Sequence, residues 1–117
     1  MLSLAAILAI SGSASWAGDF SKTCADSSVS ESTLYSVCER MDGSLMETSI
    51  DLNPYIANID GILMWQEDNF IETCHSTMLS DGSILEAECQ KMDQSWMPTS
   101  IDLDEHIDNT DGTLVYK

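Results

Sequence analysis

The chain contains one unit of about fifty residues that occurs twice, and this repeat constrains its fold more than any other feature. The five residues Thr-Ser-Ile-Asp-Leu occupy positions 48–52 and recur unchanged at positions 99–103. Further matches join residues 20–24 to 70–74, residues 38–42 to 89–93, and residues 56–63 to 107–114. Two copies are too few for an open solenoid. We therefore predict one domain in which the repeats, residues 18–66 and 67–117, close into a pseudo-symmetric pair.

Apolar residues follow the period of β-strands within each copy. Apolar and polar residues alternate over residues 85–90 and less regularly over residues 34–38, which is typical of half-buried strands. Asp-Gly pairs at residues 60–61 and 111–112 turn the chain before short final strands at 62–65 and 113–116. Because no segment has the period of a long helix, the predicted fold class is all-β.

A short helical turn is predicted after each Thr-Ser-Ile-Asp-Leu segment. Asn53 is a favourable N-cap residue, and Pro54 suits the first helical position. Asp104 is the corresponding N-cap candidate in the second copy.

The N-terminal segment predicts export from the cell. Residues 1–10 form an uncharged apolar run, and small residues follow up to Ala17. This pattern is typical of a secretory signal peptide, residues 1–17, cleaved after Ala17. The apolar run is too short to span a membrane, since a spanning helix needs about 20 apolar residues. We therefore expect a secreted, extracellular protein that starts at Gly18 and does not insert into membranes after signal removal.

The charge of the chain excludes several classes of partner. Twenty acidic residues stand against four Lys and Arg residues, a net charge of −16. A surface of this charge repels phosphate backbones and anionic membranes, so we expect no nucleic-acid partner. The content of Ile, Leu, Val and Met also argues against disorder.

The four cysteines at positions 24, 38, 74 and 89 predict two disulfides in an exported chain. Three pairings are possible from the sequence alone. The repeat favours one bond within each copy, Cys24 to Cys38 and Cys74 to Cys89. Each bond closes a loop of about 15 residues and raises the free energy of unfolding by about 3 kcal/mol. A zinc site is less favoured because no Cys-x-x-Cys pair occurs.

Catalytic motifs are not evident. His75 and His106 have no nucleophile motif around them, and with 20 acids some pair of carboxylates lies close by chance. The segment 108–112 does not fit the register of a calcium loop. Binding of uncharged sugars is favoured instead, because amide, hydroxyl and carboxylate side chains pair well with vicinal hydroxyls and neutral sugars tolerate an acidic surface.

Several motifs of the chain resemble those of one protein family. The paired Phe-x-x-Thr-Cys segments, the doubled Thr-Ser-Ile-Asp-Leu, Ile-Asp-Gly-x-Leu-x-Trp at residues 59–65 and the Asp-Gly-Thr-Leu-x-Tyr ending closely resemble cyanovirin-N homology lectins over residues 20–117. The resemblance implies a fold of two intertwined repeats, each lobe mixing strands from both, with the same two disulfides. It also implies non-enzymatic, metal-independent recognition of high-mannose glycans or glycoproteins, chiefly terminal α1,2-linked mannose, without a cofactor.

The resemblance further implies one sugar site per lobe. The positions that match the first site are Asp19, Lys22, Thr23, Glu39, Met41, Asn109, Thr110 and Asp111. Those that match the second are Ala57, Asn58, Asp60, Asp68, Asn69, Phe70, Glu72, Thr73, Gln90, Lys91, Met92 and Gln94. Family members usually have other residues at positions 19, 22, 41, 57 and 92, and Met92 replaces an arginine that closes over the sugar. We expect the second site to survive with altered affinity or linkage preference.

Structural roles compete with these assignments. Asn58, Asp60, Asn109 and Asp111 suit turns, so we interpret them first as turn residues, with sugar contact as an addition. Trp65 and the equivalent Tyr116 suit a core, and Trp96 lies in a loop with partial exposure.

Three functions remain open. They are a mannose-binding lectin with two sugar sites, a cyanovirin-N homology (CVNH) scaffold or protein-interaction module that lost one or both sugar sites, and a carboxylate-dependent glycosidase. Glu67 stands where related chains carry a proline that favours strand-exchanged dimers. We therefore predict mainly a monomer, with a domain-swapped dimer as the alternative.

Overall fold

The computed structural model describes residues 19–117, so the predicted signal peptide lies outside the described residues. The strands are β1 Cys24–Ser30, β2 Thr33–Glu39, β3 Leu45–Asp51, β4 Ile56–Ile59, β5 Ile62–Trp65, β6 Cys74–Ser80, β7 Ile84–Gln90, β8 Trp96–Asp102, β9 Ile107–Thr110 and β10 Thr113–Tyr116. Three short 3-10 helices accompany them: η1 Phe20–Lys22, η2 Phe70–Glu72 and η3 Leu103–Glu105. None of the helices in this part of the chain is long and apolar enough to cross a membrane.

The strands form two three-stranded antiparallel sheets, β1-β2-β3 and β6-β7-β8, and two hairpins, β4-β5 and β9-β10. Each hairpin packs on the sheet of the other copy, β9-β10 on β3 and β4-β5 on β8. Equivalent hydrogen bonds of 3.2 Å, from Leu63 N to Thr99 Oγ1 and from Leu114 N to Thr48 Oγ1, join the hairpins to the sheets. We call β1–β3 with β9-β10 lobe 1, and β6–β8 with β4-β5 lobe 2. The predicted all-β fold of two intertwined repeats is thus confirmed.

The core follows the predicted alternation. In β7, Leu85, Ala87 and Cys89 are buried, while the residues between them face outward. Burying alternate side chains lets one face of each sheet pack inward. The whole buried apolar set contains Phe20, Cys24, Leu34, Cys38, Leu52, Ile56, Ala57, Leu63, Phe70, Cys74, Leu85, Ala87, Cys89, Ile101, Leu103, Ile107 and Leu114.

The disulfides Cys24–Cys38 and Cys74–Cys89 are confirmed. The bonded residues lie directly opposite each other, Cys24 and Cys38 in β1 and β2, and Cys74 and Cys89 in β6 and β7. Each bond therefore joins the edge strand of its sheet, β1 or β6, to the central strand, β2 or β7.

The two Asp-Gly turns connect the hairpin strands as predicted. Asp60 has φ 51° and Gly61 φ 89°, and Asp111 and Gly112 have 49° and 90°. Two consecutive residues with positive φ match the right-handed twist of paired strands, and Asp-Gly suits this turn because both residues tolerate it.

The predicted N-caps after the Thr-Ser-Ile-Asp-Leu segments are wrong. Residues 53–55 form a turn without a helix, and η3 begins one residue before Asp104. The capping carboxylates are those of the preceding aspartates: Asp102 Oδ1 accepts from Asp104 N, and Asp51 Oδ1 from Asn53 N, both at 3.0 Å.

Asn53 and Asp104 instead cap helices of the other copy. Asn53 Oδ1 accepts from Ile71 N in η2 at 3.0 Å, and Asp104 Oδ1 accepts from Ser21 N in η1 at 3.0 Å. The Ser21 hydroxyl also donates to Asp104 Oδ2. The first amides of a helix have no partner within it, so these bonds satisfy groups that would otherwise need water. They also join the copies.

Burial raises the pKa of the Asp104 carboxyl, and the nearby Asp102 and Asp19 add to the effect, while the Ser21 hydrogen bonds oppose it. Such a carboxyl takes up its proton more readily in the folded than in the unfolded chain. Its contribution to the free energy of unfolding therefore decreases as pH rises from the unfolded pKa, about 4, through the raised folded value.

We expect Asn53→Ala to lower the free energy of unfolding by about 1 kcal/mol, because the Ile71 amide loses its acceptor. Asn53→Asp is the matched control, since it introduces the residue of the second copy and keeps the acceptor. Urea unfolding followed by circular dichroism measures both. An Ala variant as stable as the parent would contradict a capping role.

Asp104→Asn introduces the residue of the first copy and removes the titrating group. We expect the free energy of unfolding of this variant, relative to the parent, to increase between pH 4 and pH 7, because only the parent has a partly buried carboxylate that ionises over that range. Urea unfolding at a series of pH values gives the difference directly. A difference that stays constant or shrinks with rising pH would argue against a raised pKa.

Candidate functional site

Lobe 2 has a cleft of about 280 Å³ where the β4-β5 turn meets the loop between β7 and β8. Its lining residues come from both copies of the repeat. They are Asn58, Ile59, Asp60, Thr73, Gln90, Lys91 and Met92.

Asn58 holds this cleft together. Its Nδ2 donates to Thr73 Oγ1 and to the backbone oxygen of Gln90, both at 2.9 Å, and its Oδ1 accepts from Gly61 N at 2.7 Å. Both amide hydrogens are therefore used within the protein. The side chain pins the hairpin of the first copy to β7 and η2 of the second, and it donates nothing to a ligand.

Asn109 makes the same contacts in lobe 1. Its Nδ2 donates to Thr23 Oγ1 at 2.8 Å and to the backbone oxygen of Glu39 at 2.9 Å, and its Oδ1 accepts from Gly112 N at 2.7 Å. We call Asn58 and Asn109 the bridging asparagines. They have the turn role that the sequence suggested, and they also connect the two copies.

Asp60 and Asp111 fix the loops beside the two sites. Asp60 Oδ1 accepts from Met92 N and Asp111 Oδ1 accepts from Met41 N, both at 2.9 Å. Each loop consequently holds a methionine whose backbone is anchored and whose side chain is almost free in solvent, Met92 at 87% exposure and Met41 at 91%. Such a methionine is an adaptable apolar surface for a ligand.

An internal hydrogen bond stabilises the same loops. Asp93 Oδ1 accepts from the Ser95 hydroxyl at 2.6 Å and from Ser95 N at 2.9 Å. Asp42 and Ser44 repeat the arrangement in lobe 1. The serine hydroxyls lower the pKa of both aspartates, so this contribution to stability is lost only as pH falls through the lowered values.

The remaining groups of the lobe 2 cleft suit a neutral, hydroxyl-rich ligand. The Thr73 hydroxyl accepts from Asn58 and keeps its own hydrogen, and the Gln90 side-chain amide has donors and an acceptor. Asp60 and Lys91 are the two charged lining residues, so positive and negative charge balance in the cleft although the net charge of the chain is −16. Ile59 and Met92 add apolar surface.

Six predicted second-site residues line the lobe 2 cleft, and five do not. Those lining it are Asn58, Asp60, Thr73, Gln90, Lys91 and Met92; the others are Asp68, Asn69, Phe70, Glu72 and Gln94. Phe70 and the matching position Ala57 are buried in the core, so neither presents a side chain to a ligand. Ile59 also lines the cleft and was not predicted to do so. Its position directly before the Asp60-Gly61 turn is the only feature of the sequence that indicates this role.

Lobe 1 brings five predicted first-site residues together by hydrogen bonds: Thr23, Glu39, Met41, Asn109 and Asp111. The other three matching positions, Asp19, Lys22 and Thr110, do not take part in these hydrogen bonds. Lys22 Nζ lies 3.7 Å from Asp19 Oδ2, and Thr110 Oγ1 donates to Asp108 Oδ2 at 3.5 Å.

Glu39 has an unsatisfied acceptor beside the lobe 1 site. Its Oε1 is buried, and none of residues 19–117 donates a hydrogen bond to it. Buried polar atoms nearly always have a partner, so this oxygen is an exception among residues 19–117.

Comparisons with known proteins agree with this geometry. The family model described as the CVNH domain matches residues 20–115. Microvirin, solved as a complex with mannobiose, is 36% identical over 86% of this chain and 99% of its own, with a TM-score of 0.73. The CVNH of Gibberella zeae is 28% identical over 85% and 97%, with a TM-score of 0.74. A variant of MoCVNH3 in complex with (N-GlcNAc)4 has the same fold at 24% identity over 89% and 100%, with a TM-score of 0.83.

We expect Asn58→Ala to lower the free energy of unfolding by about 3 kcal/mol, because it removes three hydrogen bonds and leaves a backbone oxygen and a backbone amide without partners. Asp60→Asn is the control, since it keeps Oδ1 as an acceptor for Met92 N. Urea unfolding of the two variants provides the comparison. Equal stabilities would show that Asn58 does not hold the hairpin.

Proposed function

The chain belongs to the CVNH family of lectins, and we propose that it binds high-mannose oligosaccharides through terminal α1,2-linked mannose, with one site in each lobe. The lobe 2 cleft is the observation that carries the proposal. The chain is strongly acidic, but the charges of Asp60 and Lys91 balance in this cleft, which suits an uncharged, hydroxyl-rich ligand. The similarity to microvirin, which was solved with mannobiose, supports the choice of sugar.

Recognition in lobe 2 depends on the groups that the fold leaves free. Gln90 Nε2 donates one hydrogen to Gln94 O at 3.5 Å and has a second for a sugar hydroxyl. The Thr73 hydroxyl donates to an adjacent sugar hydroxyl, and the second carboxylate oxygen of Asp60 accepts from the sugar. A hydrogen bond to a charged group is about twice as strong as a neutral one, which makes the Asp60 carboxylate the strongest acceptor in the cleft.

Met92 replaces a charged donor with an apolar surface. Its thioether contacts the C–H groups of a mannose ring, while the fixed backbone at Met92 N keeps the loop in place. Losing a charged hydrogen bond costs about 1.5–3 kcal/mol, part of which the apolar contact restores. We therefore propose an altered affinity rather than a lost site.

Lobe 1 is proposed as the second site. The Thr23 hydroxyl there accepts from Asn109, keeps its own hydrogen and donates it to a mannose hydroxyl, as the Thr73 hydroxyl does in lobe 2. Two sites in one rigid body give branched glycans avidity above the affinity of either site.

We also propose where the protein acts and in which oligomeric state. The mature chain is secreted after removal of residues 1–17, acts mainly as a monomer, and binds glycans without converting them. Its charge keeps it away from nucleic acids and anionic membranes.

Titration with α1,2-linked dimannoside, followed by two-dimensional NMR, tests the function. We expect the largest shifts at the lobe 2 cleft, and Gln90→Ala to weaken binding there about tenfold, because it removes the side-chain amide and keeps the backbone oxygen that Asn58 uses. Glu88→Ala, two residues away on the same strand, is the control and retains full affinity.

Absence of shifts in both lobes at millimolar dimannoside would contradict the lectin function and favour the scaffold alternative. New reducing ends in the same sample would favour the glycosidase instead.

A further inference from the structure

Two aromatic side chains meet on the outer face of the lobe 2 sheet. The ring centroids of His75 and Trp96 lie 4.3 Å apart with an angle of 50° between the ring planes. Trp96 keeps 48% of its surface exposed, and His75 is also exposed. An aromatic pair that faces water contributes little to the core, and its exposed surface is available for contact with a ligand.

The strand register places this pair directly beside the cleft. His75 lies opposite Glu88, and Trp96 lies opposite Gln90, which itself lines the cleft. Residues directly opposite each other in antiparallel strands share a face and lie about 5 Å apart at Cα. Because Glu88 and Gln90 are two residues apart, the His75 and Trp96 rings meet across the same outer face of β7.

The aromatic pair is continuous with the cleft on its second side as well. Thr73 lines the cleft and precedes β6, on which His75 is the second residue. The loop that carries Lys91 and Met92 closes with a hydrogen bond of 2.7 Å from Lys91 N to Ser95 O and leads straight into Trp96. A ligand that leaves the cleft over Gln90 therefore meets the aromatic rings next.

Lobe 1 lacks this feature, although its bridging asparagine and the aspartate that anchors its loop match those of lobe 2. The repeat aligns His75 with Ala25 and Trp96 with Leu45. Trp65 is also different, because its Nε1 donates to Glu105 Oε1 at 2.9 Å and its ring packs against His106, which holds it between the two copies. The exposed aromatic pair therefore distinguishes the lobe 2 sheet from the lobe 1 sheet, which has Ala25 and Leu45 at the same positions.

We propose that His75 and Trp96 form an aromatic platform that binds a further pyranose ring of the oligosaccharide held in the lobe 2 cleft. The inference rests on the proposed function and adds a substrate class: lobe 2 prefers ligands longer than a disaccharide. A pyranose presents a face of C–H groups, and the indole presents a flat apolar surface of similar size with a negative π face. The neighbouring His75 ring limits the orientations of the indole before the sugar arrives, so less side-chain freedom is lost on binding.

The test compares linear α1,2-linked mannotriose with the dimannoside in NMR titrations, in which lobe 2 signals of Gln90 and Met92 are followed separately from lobe 1 signals of Glu39 and Met41. In the native protein we expect lobe 2 to bind the trisaccharide about threefold to tenfold more tightly than the disaccharide. The indole N–H signal of Trp96 shifts with the trisaccharide and stays nearly unchanged with the disaccharide.

Trp96→Leu introduces the residue of lobe 1 and abolishes the preference for the longer ligand, while the affinity for the dimannoside stays within about twofold. His75→Ala introduces the other lobe 1 residue and gives a smaller loss of the same preference, which keeps the test available if one variant folds poorly. Leu45→Ala is the matched control in lobe 1 and leaves the lobe 2 ratio unchanged.

Equal lobe 2 affinities for the two ligands in the native protein would overturn the platform, and so would a preference that persists in Trp96→Leu. Both results leave the lectin function intact, since the dimannoside still binds. A native protein that binds neither ligand contradicts the function itself and removes the platform with it.

Discussion

The fold and both sites depend on hydrogen bonds between the two copies of the repeat, above all those of the bridging asparagines. Asn58 and Asn109 each use a complete side-chain amide to join the hairpin of one copy to strands of the other. A two-stranded hairpin is marginally stable by itself in water, so it needs such contacts to stay in place. The side chains of Asn53 and Asp104, which cap helices of the other copy, also join the two copies.

This exchange explains why the site residues come from distant parts of the sequence. Asp60 on the first copy anchors the backbone of Met92 on the second, and Asp111 on the second anchors Met41 on the first. Neither repeat contains all the residues that line the cleft, so the cleft exists only in the intertwined fold. The duplication also permits differences at the rim, Trp96 in lobe 2 against Leu45 in lobe 1, while the bridging contacts of both lobes are the same.

Much of this was predictable from the sequence because the repeat and the strand period are strong signals. The disulfide pairing, the Asp-Gly turns and the strands 62–65 and 113–116 follow from them, and the family resemblance predicted most of the cleft. The N-cap assignments of Asn53 and Asp104 were wrong because capping rules assume a helix that follows in the chain, whereas these side chains cap helices of the other copy. The burial of Phe70 depends on the packing of η2 against β4, and the meeting of His75 with Trp96 depends on how β6 and β8 pair with β7. Neither arrangement is visible in the sequence.

The central claim is that a cleft built from both copies binds a neutral mannoside between fixed polar groups and an apolar rim. The most direct measurement is the set of intermolecular nuclear Overhauser effects between bound α1,2-linked dimannoside and the protein methyl groups. The account predicts contacts from mannose ring protons to the methyl groups of Met92 and Ile59, one from each copy. Contacts confined to residues outside the lobe 2 cleft, with none to these two methyl-bearing side chains, would contradict it.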